Sequence, residues 1–136
     1  MKKILLIIAF LIASALVYSQ NSKENTIITL GHYFNDDYSF SLGGRFCKDV
    51  YATYEHNYDF KTQLQSNYIG LGLKADKSIV FVKWGAKTEK EGTTHTNYTD
   101  YGIEYIWIFS KYEREFLYGL TLTKRNGVGF KLGLLF

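Results

Sequence analysis

The chain has 136 residues, a formal net charge of +3, no proline, a single cysteine, and aromatic side chains at 18% of its positions. That length suits one domain and not two, a lone cysteine excludes an internal disulfide framework, and no basic stripe is left to suggest nucleic acid. Absence of proline and abundance of aromatic residues favour strands, because proline removes a ladder donor and aromatic side chains suit a pleated surface.

The first element reads as an address. Lys2 and Lys3 precede an almost unbroken apolar run from Ile4 to Val17, and Val17 and Ser19 stand at the −3 and −1 positions of a cut before Gln20. This is the layout of a secretory signal peptide, expected over residues 1–19. The run is shorter than the roughly 20 apolar residues of a membrane-spanning helix. Cys47 lies too far from the cut for a lipoprotein. The exported domain is then 20–136, and loss of the two lysines lowers its charge to +1.

After Gln20, apolar residues recur with period two, the mark of strands with two unlike faces. Eight segments are expected, at 26–34, 38–47, 50–59, 67–75, 79–87, 98–108, 115–123 and 128–136. Turn-like residues separate them: 35–37, 48–49, 60–66, 76–78, 88–97, 110–114 and 124–127. Asn126-Gly127 predicts a type I′ hairpin, whose two central residues both need positive φ. Connections this short join antiparallel neighbours, so the expected fold is an all-β, eight-stranded, up-and-down barrel.

The two faces differ sharply. One carries Leu30, Phe40, Tyr54, Leu71, Val82, Trp84, Ile103, Leu120, Phe130 and their neighbours two residues away, and no charge. The other carries Arg45, Lys74, Lys83, Lys87 and Lys131 against Glu55, Asp59, Asp100, Glu104 and Glu115, with nine of the twelve glycines. An eight-stranded barrel has an interior only just wide enough for side chains to fill. The bulky apolar face does not fit there and the glycine-rich face does. Five charges of each sign also suit a closed interior, where an unpaired charge costs several kcal/mol. The apolar face is therefore expected to meet lipid, as in a transmembrane barrel. Arg45, Glu55, Lys74, Lys83, Asp100, Glu104, Glu115 and Lys131 are expected to pair inside as a charge network. Aromatic girdles are expected at Phe34, Tyr38, Tyr58 and Tyr101 on one rim, and at Phe46, Trp107, Phe116 and Phe136 on the other.

Val128, Phe130, Leu132, Leu134 and Phe136 alternate to a terminal phenylalanine. Here the chain resembles the outer-membrane β-barrel family, and in length and strand number its smallest members, the OmpX and OmpA transmembrane-domain type. The resemblance implies residence in the outer membrane and a final strand, those five residues, read as a signal by the barrel-assembly machinery. An even strand number puts both termini in the periplasm and 35–37, 60–66, 88–97 and 124–127 outside the cell, and the two longest, 60–66 and 88–97, are the expected place for any surface ligand.

Chemistry is sparse. His95-Thr96 followed by Glu104 is the nearest approach to a nucleophile, base and carboxylate set, without the His-x-Ser of barrel deacylases, and His32 and His56 fall on the outward face. Cys47 is expected to be a small inward packing residue. No zinc spacing, phosphate loop or cofactor box is present, so the expectation is a non-enzymatic barrel with a structural, adhesive or envelope-maintenance role and no cofactor. A secreted, lipocalin-like barrel around an apolar ligand is the alternative, and a lipid-modifying outer-membrane enzyme the other.

Overall fold

The computed structural model describes residues 26–111 and 114–136; the signal peptide expected at 1–19 lies outside them. Eight antiparallel strands form a closed barrel: β1 (Thr26–Tyr33), β2 (Asp37–Cys47), β3 (Val50–Asp59), β4 (Gln65–Ala75), β5 (Ser78–Glu91), β6 (Thr94–Lys111), β7 (Arg114–Thr123) and β8 (Gly127–Leu135). Each strand pairs with its sequence neighbours, and β1 closes on β8 through Ile27↔Leu135, Thr29↔Gly133 and Gly31↔Lys131. Closure satisfies every ladder without leaving an edge, which a wall surrounded by lipid requires.

Six of the predicted segments match the observed strands within two residues. The other two do not, because β5 and β6 run on together past the wall. Ser66↔Lys87 is the last pairing of β5 with β4, and Gly102↔Thr123 the last of β6 with β7, while β5 and β6 stay paired to Glu91↔Thr94. The expected loop at 88–97 is thus a protruding β-hairpin. Its threonines suit a strand, Thr88 Oγ1 donates to Asn97 Oδ1 across it at 2.7 Å, and Gly92 turns it with φ 63°. Polar residues on both faces hid it from a reading based on apolar alternation. The expected turn at 110–114 is likewise shorter, since β6 reaches Lys111 and β7 starts at Arg114.

Turn chemistry differs at β7–β8. Gly127 has φ 71°, but Asn126 stays outside the left-handed region. Thr123 pairs with Gly127, so three residues, Lys124, Arg125 and Asn126, span the turn, with glycine at the left-handed position that closes such a loop. Asn126 instead turns inward, its backbone N–H donating to Thr123 Oγ1 at 2.9 Å.

Outward on the wall stand Leu30, Ile69, Leu71, Val82, Ile103, Leu120, Leu122 and Leu132, all exposed. Inward, the barrel is stratified. At the end that holds β1's start and β8's finish, Ile27, Tyr51, Ile79, Phe81, Ile106, Ile108, Leu117 and Leu135 form a buried apolar cluster. Charged and hydroxyl groups fill the middle, and a polar mouth opens at the other end. Glycines make room: a Cβ on Gly72 would lie 2.5 Å from the Phe81 ring, and one on Gly129 2.9 Å from the Tyr33 ring.

Two expectations are corrected at the end of β2: Cys47 is not an inward packing residue, and Arg45 is not buried. The register shifts between Arg45 and Cys47, a bulge that breaks the strict alternation of sides, and Cys47 is exposed. Arg45 shares the inward side with its partner Tyr51, one position past Gly44, which pairs with the first described residue of β1, Thr26. Arg45 is nonetheless exposed, at the end of β2, and is not among the charges gathered in the lumen.

The faces make opposite demands on substitutions. Leu71→Arg sets a charge against the lipid side at a cost of about 2–4 kcal/mol near mid-bilayer. Gly85→Ala fails for another reason, because the new Cβ would lie 1.8 Å from the Asn67 carbonyl oxygen and the two strands would have to part. Denaturant titration of the refolded barrel in lipid should show both changes destabilising, with Leu122→Ile, on the outside, close to neutral.

Candidate functional site in the barrel lumen

Four ionisable side chains meet at the centre of the lumen. Lys83 on β5 lies 2.5 Å from Glu55 on β3 and 3.1 Å from Glu104 on β6. Lys131 on β8 lies 2.6 Å from Glu104 and also pairs with Glu55. All four side chains are 1–3% exposed. Two ammonium and two carboxylate groups sum to zero, which allows so deep a burial.

Hydroxyl groups complete the shell. Lys83 donates to Tyr33 Oη and Thr121 Oγ1, both at 3.0 Å, and Tyr33 donates to Glu55 Oε1 at 2.9 Å. Lys131 donates to Ser41 Oγ at 3.1 Å, and Ser41 bonds Thr29. Each lysine stem lies across a glycine: a Cβ on Gly31 would be 2.7 Å from Lys131 Cγ, and one on Gly70 3.4 Å from Lys83 Cγ. Tyr33, Ser41 and Thr121 went unnoticed in the sequence, although all three fall on the glycine-bearing face.

The remaining expected members lie elsewhere. Asp100, fully buried, faces the mouth, where it accepts from the Tyr68 hydroxyl at 2.7 Å and from the backbone N–H groups of Tyr101 and Arg125 at 2.9 and 3.1 Å. Lys74 is half-buried and pairs in register with Ile79, two inward positions below Gly70. Glu115 sits at the opposite end from the mouth, level with Leu135, and accepts from Ser110 Oγ at 3.3 Å.

Above the cluster a cleft of about 220 Å³ opens between Asn35, Asp37, Asp59, Ser66, Lys87 and Glu89. Lys87 and Asp37 pair across it at 3.5 Å. At its rim the Thr62 hydroxyl and the backbone N–H groups of Lys61 and Thr62 donate to the Asp59 carboxylate, at 2.6, 2.8 and 3.2 Å. The residues considered for hydrolysis are not brought together: His95 and Thr96 stand on the protruding hairpin, while Glu104 is buried in the lumen. His56 faces out and bonds Asn67 Oδ1 at 2.8 Å. Among the described residues no three His, Cys, Asp or Glu side chains are placed to hold a metal ion.

No protein-family model matches the sequence, and neither does any curated protein. Among solved structures, a de novo designed transmembrane β-barrel superposes with a TM-score of 0.50 over 84% of this chain and 95% of its own, at 10% identity. The chain has the fold of a transmembrane β-barrel. The N-terminal β-barrel domain of OprF from Pseudomonas aeruginosa aligns over 85% of this chain and all of that domain, with a TM-score of 0.49 and 18% identity.

Inside this transmembrane barrel, removal of one member of the central cluster leaves an uncompensated charge. Glu104→Ala leaves Lys83 and Lys131 to share Glu55 and should cost about 3–5 kcal/mol. Arg45→Ala, at an exposed strand end, should stay within about 0.5 kcal/mol of the parent. Urea unfolding in lipid vesicles, followed by heat-modified electrophoretic mobility, compares the two.

Proposed function

We propose that the chain is an exported outer-membrane barrel with a structural, adhesive or envelope-maintenance role, non-enzymatic and non-conducting. The observation that carries this reading is the neutral Lys83/Lys131–Glu55/Glu104 cluster, lying above the apolar cluster of Ile27, Ile79, Ile106 and Leu135. Paired charges that bond each other, with an apolar layer beyond them, support a lumen closed to bare ions. The uncharged exterior supports residence in a bilayer, and the outward row Val128, Phe130, Leu132, Leu134 and Phe136 on and after β8 is the surface we assign to the barrel-assembly machinery. The hairpin at 88–97 and the loop at 60–66 are then the parts that face the medium and meet any surface ligand.

A soluble barrel around an apolar ligand would need the reverse arrangement, and the ammonium and carboxylate groups at the centre of the lumen speak against it. Two measurements test the proposal. Cell fractionation should recover the protein with the outer membrane, resistant to extraction without detergent. Purified protein in planar bilayers should give no stable single-channel steps. Recovery in the soluble periplasm, or steady ion-selective conductance, overturns it.

A further inference from the structure

The mouth end of the wall has two unlike sectors. From β8 through β1 and β2 to β3, aromatic rings follow one another outside: Phe34–Phe130 at 6.4 Å, Phe130–His32 at 6.0 Å, His32–Tyr38 at 4.6 Å, Tyr38–Phe60 at 5.4 Å and Phe60–Tyr58 at 4.9 Å. The cation on that side, Lys61, is tied to Asp36. Across β5, β6 and β7 the surface is instead indented. An open groove of about 580 Å³ runs along Val82, Ile103 and Leu122, with Tyr101, Lys124 and Gly127 at its upper end. Gly127 leaves that end uncovered, since nothing lies within 4 Å of where its side chain would begin.

Lys124 closes the groove at the top. Its backbone N–H is pinned to the Tyr101 carbonyl at 2.9 Å, and its Nζ stands over the Tyr101 ring, 5.6 Å from the centroid. The next residue, Arg125, is engaged otherwise, bonding Glu89 at 3.1 Å and stacking on Tyr98 at 3.8 Å. Lys124 therefore presents a cation to the outside at the head of an apolar furrow. A diacyl lipid has the complementary form, an anionic phosphate joined to a hydrocarbon chain, and basic side chains beside an apolar surface select such headgroups.

We infer that this groove is a binding site for an anionic membrane lipid, with the phosphate on Lys124 and one acyl chain along Val82, Ile103 and Leu122. The site rests on the bilayer reading above, and adds to it a selectivity that a uniform apolar wall lacks. Aromatic rings fill the opposite sector and anchor the barrel at the interface, whereas the furrow holds a lipid of one charge class.

Trp84 reports on the site, because it pairs in register with Tyr101 and stands two residues from Val82 on the same face. Trp107, the other tryptophan, packs against Tyr105 and Tyr118 at the far end of the wall. In a Trp107→Phe background, the barrel is refolded into vesicles containing acyl-brominated phosphatidylglycerol or acyl-brominated phosphatidylcholine at equal mole fraction. Quenching of Trp84 should be greater with the anionic lipid. Lys124→Gln should remove the excess, and Lys61→Gln should keep it. Equal quenching by the two lipids, or an excess that survives Lys124→Gln, overturns the site. Equal loss of the excess in Lys61→Gln overturns it too, by making the effect a general surface charge. Absence of quenching by either lipid in folded protein defeats the bilayer reading along with it.

Discussion

Everything in this barrel depends on how four charges share one narrow space. Lys83, Lys131, Glu55 and Glu104 could each lower their energy by reaching water, and the closed wall prevents it. They neutralise one another instead, and the surrounding hydroxyls take up the bonding capacity that remains. The result ties the wall together from within: Tyr33, Ser41, Glu55, Lys83, Glu104, Thr121 and Lys131 come from β1, β2, β3, β5, β6, β7 and β8 in turn. β4 contributes an absence, Gly70, over which the Lys83 stem lies. Outward apolar side chains favour insertion into lipid but do not distinguish one register from the next. The cluster does, since a slip of one residue would turn a charged side chain out against hydrocarbon.

The axis of the barrel is polar at one end and apolar at the other, and the asymmetry follows from composition. Toward the end opposite the mouth, strands become apolar on both faces, as in Ser78-Ile79-Val80-Phe81-Val82 and Ile106-Trp107-Ile108-Phe109. The inward members of those runs have nowhere to go but the lumen, where they form an apolar layer beneath the charges. Low local polarity strengthens the ion pairs above them while raising the penalty for any that is broken.

Strand number, the sidedness of the wall and the four central charges were legible in the sequence, because period-two alternation of charge against bulk is a direct image of an inverted barrel. The apolar floor was legible too, as places where alternation gives way to unbroken apolar runs, but alternation alone does not read them. Cys47 was misplaced because a bulge in β2 has no local signature, and Arg45 because an inward position at a strand end is exposed and not enclosed. The β5–β6 hairpin was missed because it has no apolar face, and Asn126-Gly127 because a third residue entered the turn. Each of these lies at a strand end or beyond the barrel wall, where packing no longer enforces apolar alternation.

The β7–β8 turn shows how the interior and the rim are coupled. Its backbone is held from inside, where buried Asp100 accepts the Arg125 N–H and Asn126 donates through Nδ2 to Tyr68 Oη at 3.0 Å. Tyr68 in turn donates to Asp100, and its ring lies 5.3 Å from Lys83 Nζ. A chain of contacts therefore runs from the central cluster to the turn. With the backbone fixed, three consecutive side chains point three ways: Asn126 into the lumen, Arg125 up to Glu89 and Tyr98 on the hairpin, and Lys124 outward over Tyr101. An ordinary Asn-Gly hairpin of two residues would offer no such separation. The extra residue that defeats the simple turn rule is what lets one loop anchor the lumen, brace the hairpin and present a cation to the membrane at once.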